Sequence, residues 1–200
     1  MIKSLFQKPG IIGIVGNTDE AKSNLVYHIL DTLSKEGSFK AAAYGLKFDF
    51  PNVKSIYSVE ELEQVKNSII FLDEFYNLFD LNDRKKTNLI EKILRLIYHN
   101  NNILVLIGTS DNFKKYISAR LDAIIYKKVT FAEMINGSRV KTILMNYEGN
   151  EKGSSVLDLE KNEALLFDGK HYSTMIIPYY ENYDSKKANK EIFREYDIKN

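Results

Sequence analysis

The chain has 200 residues, 28 Lys and Arg against 27 Asp and Glu, and 44% apolar residues, a size at which one globular domain buries roughly 70% of the surface its unfolded chain exposes. No apolar run approaches the roughly 20 residues of a membrane span, the absence of cysteine excludes disulfides and thiolate metal sites, and a net charge of +1 argues against a protein that coats nucleic acid nonspecifically. The missing cysteines suit a reducing compartment, and no secretory leader is expected because Ile11–Val15 is too short for one.

Ile11–Val15 predicts the first strand, and an amphipathic helix follows from about Lys22 to Lys35, with Leu25, Val26, Ile29, Leu30 and Leu33 on one face and Gly37 as its C-cap. Between them lies Gly13-Ile14-Val15-Gly16-Asn17-Thr18-Asp19-Glu20-Ala21-Lys22-Ser23. Strand, tight loop, then Lys-Ser at a helix start is the arrangement of a phosphate-binding loop. Successive main-chain N–H groups converge on the phosphates, and the new helix turns its positive end toward them. Gly16, Asn17, Thr18, Asp19, Glu20 and Ala21 form the cradle, Lys22 is expected to reach the β- and γ-phosphates, and the Ser23 hydroxyl to take one position on Mg²⁺. The pattern asks for glycine directly before the lysine. Here Ala21 stands there, and its methyl group is tolerated where φ stays negative. Asp19 and Glu20 set carboxylates beside a polyanion, which weakens binding unless they point outward or contact Mg²⁺. The plainer alternative is an ordinary strand-to-helix turn with a solvated Lys-Ser.

Phe39–Leu46 predicts a second strand of small residues, Pro51 and Asn52 break the chain, and Val53–Tyr57 predicts a short strand. Ser58-Val59-Glu60-Glu61 is a capping box that opens a helix towards Asn67. Ser68-Ile69-Ile70-Phe71-Leu72-Asp73-Glu74-Phe75 then reads as a strand buried on both faces that ends in two carboxylates. At the carboxyl end of a parallel strand such acids meet the ligand. Asp73 is expected to hold Mg²⁺ through water, and Glu74 to polarise the water that attacks the γ-phosphate. A core strand capped by two solvated acids is the alternative.

A polar loop from Leu81 to Lys86 leads into a helix through His99 that buries Leu89, Ile90, Ile93, Leu94 and Ile97. Ile103–Thr109 is a further buried strand, followed by a short helix near Asn112–Ile117 and a strand at Asp122–Val129. From Arg139 onward the texture alternates, with strands at Val140–Tyr147 and over Ala164–Tyr180, the latter turning at Asp168-Gly169-Lys170. Asp184–Tyr196 reads as a charged surface helix. His28, His99 and His171 are widely spaced and have no metal-ligand pattern.

This order implies an α/β fold: a P-loop NTPase of the ASCE type, with a parallel central sheet, helices on both faces and antiparallel C-terminal strands. One domain spans 1–200, divided into a nucleotide-binding core at 1–135, an antiparallel extension at 136–183 and a helical tail at 184–200. Ile103–Thr109 is expected between the two motif strands, so that Thr109 and Ser110 at its tip sense the γ-phosphate.

Beyond the nucleotide motifs, Asn102–Ser110, Ile117-Ser118-Ala119-Arg120-Leu121-Asp122-Ala123-Ile124 and Glu163-Ala164-Leu165-Leu166-Phe167-Asp168-Gly169-Lys170 resemble segments of the FtsK–HerA group of DNA-pumping ATPases. The start Met1-Ile2-Lys3-Ser4-Leu5-Phe6-Gln7-Lys8-Pro9 and Asp73-Glu74-Phe75 look most like the genome-packaging ATPases of small protein-primed podophages. The resemblance implies ATP and Mg²⁺ as cofactors. It implies a homo-oligomeric ring of five subunits that drives double-stranded DNA through a portal into a prohead in the host cytoplasm, without a membrane; an RNA scaffold is left open. Such relatives often carry a nuclease-like domain after the motor, for which this length is expected to leave no room. By the same resemblance Lys47 grips DNA, with a solvated loop lysine as the alternative. An arginine acting in trans on a neighbour's γ-phosphate falls near the end of the helix before the sensor strand, where Arg95 stands; Arg120 and Arg84 are further candidates. Two other functions stay open: a P-loop ATPase that acts as a switch or loader on protein partners, and a binding module without catalysis.

Overall fold

Eight strands form one sheet whose middle is buried on both sides. The structure is a computed structural model that describes residues 2–17, 20–35, 37, 39–46, 48–79, 84–130 and 156–180. The strands are β1 (Gly10–Val15), β2 (Ala41–Tyr44), β3 (Val53–Ser55), β4 (Ile69–Asp73), β5 (Ile103–Gly108), β6 (Ala123–Tyr126), β7 (Glu163–Phe167) and β8 (Tyr172–Ile176). Their spatial order is β3-β2-β4-β5-β1-β6-β7-β8, parallel from β3 through β6 and antiparallel at β7 and β8. Strand β5 lies between β4 and β1, as the two motif strands require. Every residue of β1, β4, β5 and β6 is buried, as expected of strands covered on both faces.

Alternation divides that burial between two layers. Ile12 and Ile14 of β1, Phe71 of β4 and Ile107 of β5 pack with Leu25, Val26, Ile29 and Leu30 of α1 (Lys22–Ser34). Ile11, Val15, Ile70, Leu72 and Leu104 face the opposite way, onto α2 (Val59–Gln64), α3 (Phe75–Leu78), α4 (Arg84–His99) and α5 (Lys115–Ser118), which supply Leu62, Phe75, Ile93 and Ile117. Among the described α-helices, α1 alone packs on its face, helped by Leu5 and Phe6 of the N-terminal 3-10 helix (Ile2–Phe6). Short polar bonds fix the amino ends of the strands. The buried Asn102 side chain accepts from Ser68 N (3.0 Å) and donates to Val65 O (2.8 Å). Asp122 Oδ2 accepts from Ile11 N (2.8 Å) and from the Tyr98 hydroxyl (2.7 Å); burial first, and then this bond, push the Tyr98 phenol up to about 12.

Several boundaries differ from the sequence expectation. Helix α1 ends at Ser34, with Lys35 rather than Gly37 as its C-cap, the Lys35 N–H shared between the Asp31 and Leu33 carbonyls. Ser58 accepts from Glu61 N (3.3 Å), but the Glu61 carboxylate reaches Tyr57 N (3.1 Å) rather than Ser58 N, so the capping box is displaced by one residue. Helix α4 starts at Arg84, inside the stretch expected to be loop. The helix expected near Asn112–Ile117 is a 3-10 turn at Ser110–Asn112 followed by α5. In the C-terminal hairpin Asp168 Oδ1 accepts from Lys170 N (2.9 Å) and His171 N (2.8 Å), which draws the turn tight. The expected strand Val140–Tyr147 and helix Asp184–Tyr196 lie outside the described residues.

Candidate functional site

The carboxyl ends of parallel strands β1, β5 and β4 share one edge, and the two motifs leave the sheet there. Register sets their level: Asp73 pairs with Ile107, and Ile107 with Ile14, two residues before Gly16. Two strand spacings, roughly 10 Å, separate β4 from β1. The phosphate loop and the acids therefore face one another across the end of β5.

Gly16 continues β1, its N–H donating to Gly108 O (3.2 Å). A Cβ on Gly16 would stand 2.6 Å from Lys127 Cβ, so only glycine fits between the loop and β6. Asn17 N donates to Lys128 O (3.1 Å). The Lys22 ammonium turns back over the loop and donates to Gly16 O (2.8 Å) and Asn17 O (2.6 Å), closing it into a ring. Thr18 and Asp19 lie outside the described residues. Ser23 is half-buried in the first turn of α1.

Ala21 departs from expectation. Its φ is 57° and ψ 32°, so it adopts the left-handed conformation that the glycine of the pattern would supply without strain, rather than the negative φ at which a methyl group is tolerated. It caps α1 by geometry alone: its carbonyl accepts Leu25 N (3.1 Å), and no side-chain cap bond is present.

Asp73 is buried at 7% exposure, and its Oδ1 accepts Glu74 N (2.9 Å). That bond accompanies a left-handed Glu74, φ 47° and ψ 44°, which swings the next side chain out of the sheet. Glu74 is exposed, and its Oε2 accepts from Asn77 Nδ2 (3.0 Å). A carboxylate held in strained backbone at a strand tip is the kind of outlier that marks a working position. Burial, then the charges of Glu74 and Asp73, raise the nearby Tyr76 phenol above its usual range. On the other flank of Asp73, Gly45 at φ 74° leaves β2 so close that a Cβ there would stand 2.8 Å from Asp73 O.

At the tip of β5 the Thr109 hydroxyl and N–H both donate to Asn112 Oδ1 (2.8 and 2.9 Å), in a capping box that fixes the 3-10 turn. Ser110 is buried beside it. Arg95 and Arg120 lie elsewhere. Helix α4 runs back from the acidic edge, and Arg95 sits near its far end, paired with Glu91 (3.6 Å). Arg120 is exposed just before β6, two residues from Asp122, which bonds Ile11 at the start of β1. The length of β1, about 16 Å, separates that end from the loop, so neither arginine joins its own chain's phosphate loop. Lys47 lies outside the described residues, and Arg84 is the first residue of α4.

Sequence reading missed Lys127. It is fully buried, its ammonium donates to the carbonyls of Lys161 (2.7 Å) and Glu163, and burial lowers it to about 8 against the opposing pull of Glu20 and Glu163. The available signal was a lysine at the end of an apolar strand, in phase with the inward-facing Ala123 and Ile125.

The oxygen donors Ser23 and Asp73 fit Mg²⁺, which takes one or two protein oxygens and fills its octahedron with water and phosphate. Held by these two residues, the ion would supply positive charge to offset that developing on a transferring phosphoryl group.

No family model and no curated protein matches the sequence. Solved structures do. The DNA-packaging ATPase B204 of Sulfolobus turreted icosahedral virus is 14% identical, with a TM-score of 0.66 over 86% of this chain and 99% of that one. The genome-packaging NTPase B204 of Sulfolobus turreted icosahedral virus 2, in complex with ATP-gammaS, is 18% identical, with a TM-score of 0.64 over 85% and 97%. The pCW3 conjugation coupling protein TcpA, with ATPgS, is 17% identical, with a TM-score of 0.59 over 92% of this chain and 65% of that one. The chain has the P-loop NTPase fold of these proteins, in agreement with the FtsK–HerA resemblance of its sequence.

Proposed function

We propose that this chain is the ATP-hydrolysing subunit of a motor that translocates double-stranded DNA, as a viral genome-packaging ATPase does. The observation that carries the reading is the level placement of the Lys22 loop and the Asp73–Glu74 tip at one sheet edge, on either side of β5. The fold likeness to packaging NTPases and a conjugation coupling protein, two of them holding ATP analogues, supports nucleotide hydrolysis and DNA as the cargo.

In this reading Lys22 exchanges its loop carbonyls for phosphate oxygens, and Ser23 and Asp73 hold Mg²⁺. Glu74, left solvent-facing by its turn, orients and deprotonates the attacking water. Thr109 and Ser110 sense the γ-phosphate from the tip of β5. Arg95 or Arg120 serves a neighbouring subunit's site, a role their distance from their own loop supports, and a closed ring supplies that neighbour. Lys47 follows β2 as a DNA contact, and a prohead portal is the docking partner.

Steady-state ATP hydrolysis with and without double-stranded DNA tests this, alongside Glu74→Gln. Stimulation of the wild type by DNA is expected, with retained ATP binding and turnover lowered by about 10²–10⁴-fold in the variant. Hydrolysis indifferent to DNA would favour a switch acting on proteins, and full turnover in Glu74→Gln would remove Glu74 from the chemistry.

A further inference from the structure

A second lysine braces the phosphate loop from behind. Lys127 directly follows β6, its main-chain N–H donating to Val15 O (2.7 Å), so its backbone lies against the last residue of β1 and against Gly16. Its side chain is fully buried, and its ammonium is held by the carbonyls of Lys161 and Glu163 at the turn that opens β7. Glu20, inside the loop, presents a carboxylate whose Oε2 is buried and accepts no hydrogen bond among the described residues. A buried carboxylate oxygen without a donor is costly unless a cation stands near. The Glu20 and Glu163 carboxylates are the acids whose charges act on the Lys127 ammonium, and that of Glu163 accepts Glu160 N (3.0 Å).

We infer that Lys127 is a positioning residue for the phosphate loop, whose buried ammonium compensates the Glu20 carboxylate so that the loop meets a polyphosphate without opposing charge. This rests on the nucleotide-binding reading above. It answers the difficulty that Glu20 poses in the sequence: a carboxylate in an anion cradle is acceptable when a fixed cation neutralises it from the protein side. It also ties the loop to the C-terminal hairpin, because the same ammonium bonds the turn before β7. Lys128, Glu160 and Lys161 are charged chain neighbours on those two segments, and Glu20 and Glu163 are the acids whose charges act on Lys127.

The test measures Mg²⁺–ATPγS affinity by calorimetry for wild type, Lys127→Met, Glu20→Gln and the double variant. Lys127→Met is expected to weaken binding about tenfold, the effect of one unscreened charge at short range. The double variant should return to within about twofold of wild type, with Glu20→Gln alone binding at least as tightly. In the wild type affinity should fall as pH rises through about 8, where the Lys127 ammonium loses its proton, and this fall should flatten in Glu20→Gln. Equal losses in Lys127→Met and the double variant would overturn the inference. So would wild-type and Glu20→Gln profiles of the same slope, a comparison that still decides if Lys127→Met fails to fold. A wild type that binds no ATPγS at any pH would instead overturn the nucleotide reading and this inference with it.

Discussion

Replacing Ala21 with glycine should stabilise the protein, against the usual direction for glycine in a folded chain. Ala21 sits at φ 57° and ψ 32° as the N-cap of α1, and its side chain makes no cap bond that the substitution would remove. Left-handed backbone costs an L-residue about 1–2 kcal/mol. Glycine escapes that cost and is preferred over alanine at an N-cap, but it loses about 0.4–1 kcal/mol through the greater freedom of the unfolded chain. The net gain is about 0.5–1 kcal/mol. For a chain of this size that raises the melting temperature by about 1–4 °C. Urea unfolding followed by circular dichroism should show a higher midpoint at unchanged slope, and Ala21→Val, which adds a branched Cβ to the same backbone, should shift the midpoint the other way. If Ala21→Gly lowers stability by about 0.5 kcal/mol or more, the backbone there is not left-handed and the account of the loop is wrong.

Two further outcomes follow from residues away from the loop. Asn102→Ala removes the buried partner of Ser68 N and Val65 O, and should lower stability by about 2 kcal/mol in the same urea assay; a change under about 0.5 kcal/mol would refute its role at the strand ends. His28 is lowered below 6.5 by burial first, with Asp31 pulling it up and Lys35 pushing it down, while its Nδ1 lies 2.8 Å from the Tyr180 hydroxyl. The fold therefore prefers the neutral ring, and stability present above 6.5 is lost as pH falls through the folded value. Midpoints measured on descending pH should decline in wild type and flatten across that window in His28→Gln, and an unchanged slope would exclude His28.

The sheet was legible because its central strands are fully buried and advertise themselves as unbroken apolar runs. Ile69–Asp73 and Ile103–Gly108 could be read without any neighbour, and their order followed from placing the loop and the acids at one edge. Conformation at single residues was not legible. Nothing in the letters of Ala21 or Glu74 announces positive φ, since that is set by how the loop and the strand tip must turn to meet their neighbours. Lys127 escaped notice for a related reason. A lysine at a strand end reads as solvated until β7, distant in sequence, arrives to supply the carbonyls that hold it.

The close approach of Gly45 to Asp73 leaves no slack between the end of β2 and the tip of β4. With the main chain at Gly45, just past β2, resting on the Asp73 carbonyl, the segment leaving β2 is geared to Asp73 without an intervening side chain to absorb movement. A sub-ångström shift at the tip of β4 would pass undiminished into whatever that segment touches, and a bulkier residue at position 45 would act as a clutch between them.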